Sequence, residues 1–488
     1  METKSQVSKT HPEYDAMATK WQRCRDTVAG NDAVKAAGTR YLPSLKDQTT
    51  EDYEAYKTRA KWFGATWRTI QALTGMLFRR PPVVETSESV NALLEDVTMS
   101  GVSFLTFAQQ IAMECLTVGR VGILVDYPSQ STEGMTAAEA ARLNLRPVMQ
   151  RYEAENIINW KTAWIGNKTV LTLVVLTEEA ALAGSQFEHK TETRYRVLDL
   201  VNSKRINYRA KDGFNWIRVY RVRVFRINDK GEDEQIGGDI FPVMSGKPLD
   251  FIPFFFLGVD DTTPQLDLPP LLDLVDLNLD HYRMSADHKH GLHFTGLPTG
   301  VITGYRPENE NDKLYVGAAH FLVLPDPQAK AYFLEYTGQG LSAIVEELER
   351  TEQQMAILGA RLLTAEKKAT ETAQTAQIHR AGESSVLSSI ASTISRALTQ
   401  ALTLFSKWAG SDNECTVELN QEFLPPEMTP QELSALVSAW QTGAISMQVL
   451  FEQLQKKEVI ASDLTLEEMQ AQIENEGPRM PDGTGEGE

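Results

Sequence analysis

Residues 341–358 read LSAIVEELERTEQQMAIL, and the phase of this stretch decides how the rest of the chain is organised. Leu341, Ile344, Val345, Leu348, Met355 and Leu358 recur at three- and four-residue intervals, the spacing of one face of an α-helix. Glu346, Glu347, Glu349 and Glu352 surround that stripe, and an acidic face of this kind is ordinarily just solvated.

A second helical run lies upstream. Pro269-Pro270 opens it, and it extends roughly from Leu271 to His293, about 34 Å at the α-helical rise. Between the two runs lies a segment punctuated by Gly and Pro, Gly296–Tyr336, with strand candidates at Thr299–Thr303, Phe321–Leu324 and Ala331–Glu335. Downstream, Gly359–Thr370 interrupts the stripe and carries Arg361, Lys367 and Lys368. A long helix rich in Ala, Ser and Thr is then expected over Glu371–Trp408. Its apolar line is Val386, Ile390, Ile394, Ala397, Ala401, Phe405 and Trp408, with a kink at Gly382.

Further out, the N-terminal part reads as helices at Tyr14–Val28, Thr50–Phe78 and Phe104–Val118, stopped by Pro81-Pro82 and Gly119. From Val121 to Leu257 the texture changes to short β-branched and aromatic runs. These are Val121–Tyr127, Val170–Leu176, Arg194–Val201, Ile206–Arg209 and Trp216–Ile227, with Asp212-Gly213 as a hairpin turn and a short helical insert at Thr136–Leu145. Thr416–Phe423 reads as a strand. Thr429-Pro430-Gln431-Glu432 reads as a capping box opening a helical unit of Pro430–Gln441, Ser446–Lys457 and Thr465–Asn475. The Gly- and Glu-rich end, residues 477–488, is expected to be disordered. Together these elements define an α+β chain with antiparallel sheet.

The 488 residues suggest about three domains. Their net charge of −18 excludes a general nucleic-acid grip, because counterion release rewards a basic excess. Three scattered cysteines, Cys24, Cys115 and Cys415, form no CxxC pair and point to a reducing compartment. The first residues lack the apolar run of a signal peptide, and stretches such as Ile252–Val259 are too short for a membrane span. The expectation is a soluble protein, cytosolic or carried in a virion.

No GxxxxGK[ST], GxSxG, HExxH or helix-opening GxGxxG occurs, which weakens hydrolase and nucleotide-enzyme readings alike. Two clusters remain. His281, His288, His290 and His293 fall within one helical run with Asp280 and Asp287. On a helix His288 and His290 point about 200° apart and share no ion within one subunit, so polar positions on an exposed or interface helix are the plainer reading. The basic island Lys204, Arg205, Arg209, Lys211, Arg218, Arg221, Arg223 and Arg226 either touches a partner or pairs with neighbouring acids.

The order of these parts resembles the subunit of the portal protein family of tailed bacteriophages. So does the local wording: His11-Pro12-Glu13-Tyr14, Tyr41-Leu42-Pro43, Phe78-Arg79-Arg80-Pro81-Pro82, residues 280–288, residues 334–340, and Glu371-Thr372-Ala373 with Ala376. The resemblance implies a portal fold with a wing over 1–265 and 371–425, stem helices at 266–295 and 337–358, and a clip at 296–336. It further implies a tunnel loop at 359–370 and a helical crown at 426–476. A homo-oligomeric ring, usually of twelve subunits, at one capsid vertex follows, assembled in the host cytoplasm, with no cofactor, metal, membrane or catalysis. Its partners would be double-stranded DNA held weakly and without sequence preference, the terminase large subunit, major capsid and scaffolding proteins, and a head–tail adaptor or tail protein. Arg361, Lys367 and Lys368 would face the DNA at the constriction, Glu346, Glu349 and His288 the stem channel, and Arg218, Arg221, Arg223 and Arg226 a partner. Small residues of the long helix, Ala373, Ala376, Ala381, Ser384, Ser388 and Ala391, would let neighbouring helices approach. The alternatives are another structural connector or minor capsid component, and a metal-dependent hydrolase built on the 281–293 histidines.

Overall fold

A computed structural model describes residues 5–128, 142–182, 187–203, 218–296, 299–304, 328–334, 338, 340–361, 385–421, 423, 430–456, 459–460 and 464–476. The chain divides into two compact units, Met1–Leu419 and Asn420–Glu488.

Helix α1 (Pro12–Ala29) begins with Pro at its first position, and the His11 side chain accepts from the Glu13 amide. Met17, Trp21, Cys24 and Thr27 form its buried stripe. The expected single helix over Thr50–Phe78 is two, α2 (Thr50–Arg59) and α3 (Ala65–Leu77). The intervening backbone is held from elsewhere. The Asn278 Oδ1 accepts from Thr66 N at 3.2 Å and Thr66 Oγ1 at 3.0 Å, Asn278 Nδ2 donates to Phe63 O at 2.7 Å, and Ser285 Oγ accepts from Lys61 N. Groups that helix continuation would pair are satisfied by a distant side chain instead, so the interruption leaves few buried orphans.

Helix α4 (Phe104–Val118) has the ends its sequence specifies. Ser103 accepts from the Thr106 amide, and Gly119 turns left-handed at φ 75°. Glycine is needed there twice over, since a Cβ would also meet Leu268 O at 3.0 Å.

Two antiparallel sheets follow. Strands β1 (Arg120–Asp126), β2 (Val148–Glu153) and a later strand build one. Strands β3 (Ile157–Ile165), β4 (Lys168–Ala181), β5 (Thr191–Asn202), β6 (Arg218–Ile227) and β7 (Asp233–Ile240) form a five-stranded meander in chain order. The later strand is β8 (Phe254–Gly258), paired to β1 in the order β8-β1-β2. Arg120 joins the sheets: its guanidinium carbon sits 4.3 Å from the Trp160 ring centroid and 4.6 Å from that of Phe256, and His11 stacks on Trp160.

Helix α5 (Leu272–Gly296) buries Leu274, Val275, Asn278, Leu279, Tyr282 and Ala286 against the body. A two-stranded hairpin, β9 (Thr299–Thr303) with β10 (Lys330–Leu334), follows it. Helix α6 (Leu341–Arg361) returns antiparallel: His281 lies opposite Glu352, and Asp273 and Asp280 share a groove with Ile357 and Leu358. Gly359, Ala360 and Arg361, expected in a loop, are helical. Gly359 is where α6 passes α3, since a Cβ there would lie 3.1 Å from Thr69 Cγ2.

Helix α7 (Val386–Trp408), capped by Ser385, runs through the core against β8 and β1. Its Ser395 and Thr399 hydroxyls accept from Leu419 N and Val417 N, fixing a strand at Thr416–Glu418 that pairs with Val83–Glu85. Ser388 and Ala391, expected to face a neighbouring copy, are covered by their own chain, because this helix threads between elements of its own body. Residues 362–384, with Lys367, Lys368, the kink at Gly382 and the other small residues, lie outside the described residues, as do 129–141 with most of the expected insert at Thr136–Leu145, Ile206–Arg209, Asp212-Gly213 and Phe321–Leu324.

The C-terminal unit holds α8 (Pro430–Gln441), α9 (Met447–Lys456) and α10 (Leu466–Glu476), with Leu450 and Phe451 buried. Thr429 lies outside the described residues. A capping box does occur at α10, where Thr465 Oγ1 accepts from Glu468 N and Glu468 Oε2 from Thr465 N.

Candidate functional site: the α5–α6 hairpin

Asp273, Asp276, Asp280 and Asp287 lie three, four and seven residues apart, so 100° per residue brings them within about 60° of arc on α5. All four are exposed, on the side away from the buried stripe. Asp276 pairs with Arg23 at 3.1 Å, and Asp287 accepts from the Tyr56 hydroxyl. On α6, Glu346, Glu347, Glu349 and Glu352 are exposed, and Glu347 pairs with Arg350. Only Thr351 and Met355 are buried among the described side chains of α6. The hairpin therefore presents acid on both helices, with its apolar stripe half covered.

The four histidines do not converge on one point, although His290 and His293 share Phe294 and Arg59 as neighbours. His281 is 6% exposed, with Nε2 3.2 Å from Glu352 Oε1 and its ring against Phe63. Burial lowers its pKa, and the Glu352 carboxylate opposes that shift only in part. His290 packs edge-on to Tyr56 and Phe294; burial first, then Arg59, lowers its pKa. His288 is lowered by burial and by Lys289. His293 Nε2 lies 3.1 Å from an Arg59 nitrogen. No group of three His, Cys, Asp or Glu able to hold a metal occurs among the described residues.

The basic strands are engaged within their own sheet. Arg221 makes two contacts to Asp199 and one to Asp239, Arg223 reaches Asp199 at 2.8 Å, and Arg226 pairs with Glu234 at 3.0 Å. Arg218 is half-buried on β6 opposite Asn202. The acids come from β5 and β7, the two strands that flank β6 in the meander.

Two polar groups that organise the body give little or no sign in the residue order. Arg25 of α1 is bonded to Glu114 of α4 and to Glu155 in the turn between β2 and β3, and nothing in its sequence neighbourhood announces this. Burial pushes the Glu114 carboxyl up while Arg25 pulls it back. Asn278 carries a faint signal: it is a polar residue in phase with the buried apolar positions of α5. A buried amide at such a position needs partners, and the break between α2 and α3 supplies them.

Comparison with known proteins falls in two parts. Residues 270–409, which include the hairpin and α7, match the family described as a domain of unknown function (DUF4055). Among solved structures, the chain is similar to one from the neck of an empty GTA particle computed with C6 symmetry, at 12% identity, TM-score 0.37, covering 83% of this chain and 92% of that one. It is also similar to a chain of the virion of a native gene transfer agent particle, at 11% identity, TM-score 0.36 and coverage of 90% and 98%. A third is from the neck of a native GTA particle computed with C12 symmetry, at 12%, TM-score 0.36 and coverage of 88% and 98%. Among curated proteins, none matches.

Proposed function

We propose that this chain is one subunit of a portal, a ring at a capsid vertex through which DNA enters and leaves a phage-type particle. The observation that carries the reading is α6: a helix of 21 residues with two buried described side chains, returning beside α5 from a small β-hairpin. A long amphipathic helix with so little burial within its own chain calls for neighbours, and a ring of copies supplies them on both sides. The order of parts and the local wording of the sequence support the same assignment.

On this reading residues 1–265 and 371–425 form the wing, and α5 and α6 the stem. Residues 296–336 form the clip, those after Arg361 the constriction, and 426–476 the crown. The DNA is double-stranded and held weakly. Each phosphate neutralised adds affinity, hence drag, so Glu346 and Glu349, with His288, suit a channel wall that repels rather than grips. Lys367 and Lys368 are the exception at the constriction. The terminase supplies ATP hydrolysis, capsid and scaffolding proteins surround the wing, and a head–tail adaptor or tail protein takes the clip.

Electron microscopy of the purified full-length protein tests this directly. A ring with a central channel, usually twelvefold, is expected; a solitary globule at every concentration overturns it. Lys367→Glu with Lys368→Glu is expected to leave the ring intact and to impair DNA packaging or retention, and unchanged packaging and retention would remove the lysines from the account.

A further inference from the structure

Helices α1 and α5 pack together, yet a cleft of about 670 Å³ remains between them. Its walls include Thr19, Gln22 and Arg23 of α1, Asp276 and Arg283 of α5, and Arg40 from the short turn Gly38–Arg40. Positions 19, 22 and 23 share one face of a helix, as do 276 and 283, so helical phase accounts for each wall by itself. Only the fold brings the walls together, and with them three guanidiniums, in a chain whose net charge is −18.

The acids around the cleft do not use up these donors. Arg23 Nε is shut off from solvent and lies 3.1 Å from Asp276 Oδ1, off the line of a hydrogen bond. Arg40 Nη1 reaches Asp26 Oδ2 only at 3.5 Å, and that carboxylate already accepts from the Tyr41 hydroxyl at 2.7 Å and from Gln22 Nε2 at 2.8 Å. Arg283 donates through Nε to Tyr41 O at 2.8 Å, and its two terminal nitrogens have no acceptor among the described residues. Three guanidiniums set against Asp26 and Asp276 leave a positive surplus, and the open fork belongs to Arg283. Recessed surplus charge of one sign concentrates small ions of the other.

We propose that the α1–α5 cleft is an anion site that takes a phosphoryl group, held by Arg23, Arg40 and Arg283. A guanidinium fork matches carboxylate and phosphate alike, but a carboxylate offers two oxygens, which one fork fills. A phosphoryl group offers three, enough to engage more than one fork. The volume falls within the range of about 300–1,000 Å³ usual for small-ligand sites, so the cleft has room for the body that carries the group. That body is either a free phosphate ester or the backbone of DNA. Every residue of the site comes from one copy, so the proposal stands apart from the ring reading.

Isothermal titration calorimetry of the full-length protein at fixed ionic strength tests it, with pyrophosphate, deoxyadenosine monophosphate and a short DNA duplex as probes and acetate as the carboxylate control. Saturable binding of a phosphate-bearing probe is expected, and none of acetate. Arg283→Lys keeps the charge and loses the fork. Thr19→Glu sets a carboxylate at the exposed rim of the cleft and should leave the Tm of the ligand-free protein unchanged. Each is expected to weaken binding about tenfold or more, the scale of one lost charge-assisted bond. Binding of pyrophosphate or the nucleotide with this sensitivity identifies a free ester as ligand; binding of the duplex alone, with the same sensitivity, identifies the DNA backbone. Acetate bound as well as phosphate overturns the phosphoryl assignment. No saturable binding of any probe, or binding that Thr19→Glu leaves unchanged, overturns the site, and neither result bears on whether rings form.

Discussion

Helices α6 and α7 are nearly equal in length, 21 and 23 residues, and both carry a clear apolar stripe, yet they are covered differently. Fifteen positions of α7 are buried by its own chain, while α6 buries Thr351 and Met355 and leaves Leu341, Ile344, Val345 and Leu348 half-covered. Amphipathicity states that a face must be covered; it does not state by what. For α7 the answer is the chain itself. For α6 the apolar stripe is only partly answered within one subunit, which is why that helix bears the weight of the functional proposal.

The largest effect that tests this contrast is expected from Phe405→Ala in α7. Phe405 is fully buried, and truncation there should cost about 3–5 kcal/mol through lost transfer energy and a cavity, seen as a fall in Tm. A loss no greater than that of Ile357→Ala on α6 would erase the distinction between the helices. Asn278→Ala comes next. It leaves the Thr66 amide without its acceptor and should cost about 1–3 kcal/mol, with faster hydrogen exchange confined at first to residues 61–66. Unchanged exchange there would mean that the α2–α3 break does not depend on α5.

A pH titration probes the seam between α5 and α6. Burial holds the His281 pKa below its ordinary value of 6.5, so the unfolded chain takes up the proton first as pH falls. Stability is therefore lost as pH drops through 6.5 and the loss is complete once pH is below the folded-state pKa. The parent should lose more Tm than His281→Gln between about pH 7.5 and about pH 5, and equal losses would show that the seam is open to water. Smallest is Glu349→Ala, expected to change subunit stability by less than about 0.5 kcal/mol while removing one charge from the exposed acidic face of α6. A larger loss by chemical denaturation would mean that the acidic face is part of the fold.

Much of the candidate site is legible in the order of residues. The stripe of α6 and the exposure of Glu346 and Glu349 follow from helical phase alone, as does the dispersal of His288 and His290. The partners of Arg221, Arg223 and Arg226 do not, because Asp199, Asp239 and Glu234 reach them only through strand register. Strand β7, DEQIGGDI, gives no strand signal because an exposed edge shows no apolar alternation, and β3 goes unread although its paired partner β4 is read in part.

What the sequence determined by itself is whatever closes locally. Phe104–Val118 and Pro430–Gln441 agree to the residue, as does Thr299–Thr303. For the first of these the stop signals, Ser103 and Gly119, act within one turn of the helix ends. Tertiary structure decided the break at residues 60–64, because the amide that satisfies it sits 212 residues away in sequence on α5. It decided likewise that Gly359 lies inside a helix where α3 passes so close that a Cβ would meet Thr69 Cγ2 at 3.1 Å. Hydrogen bonds between near neighbours are written in the order of residues; those between distant segments exist only once packing has brought the segments together.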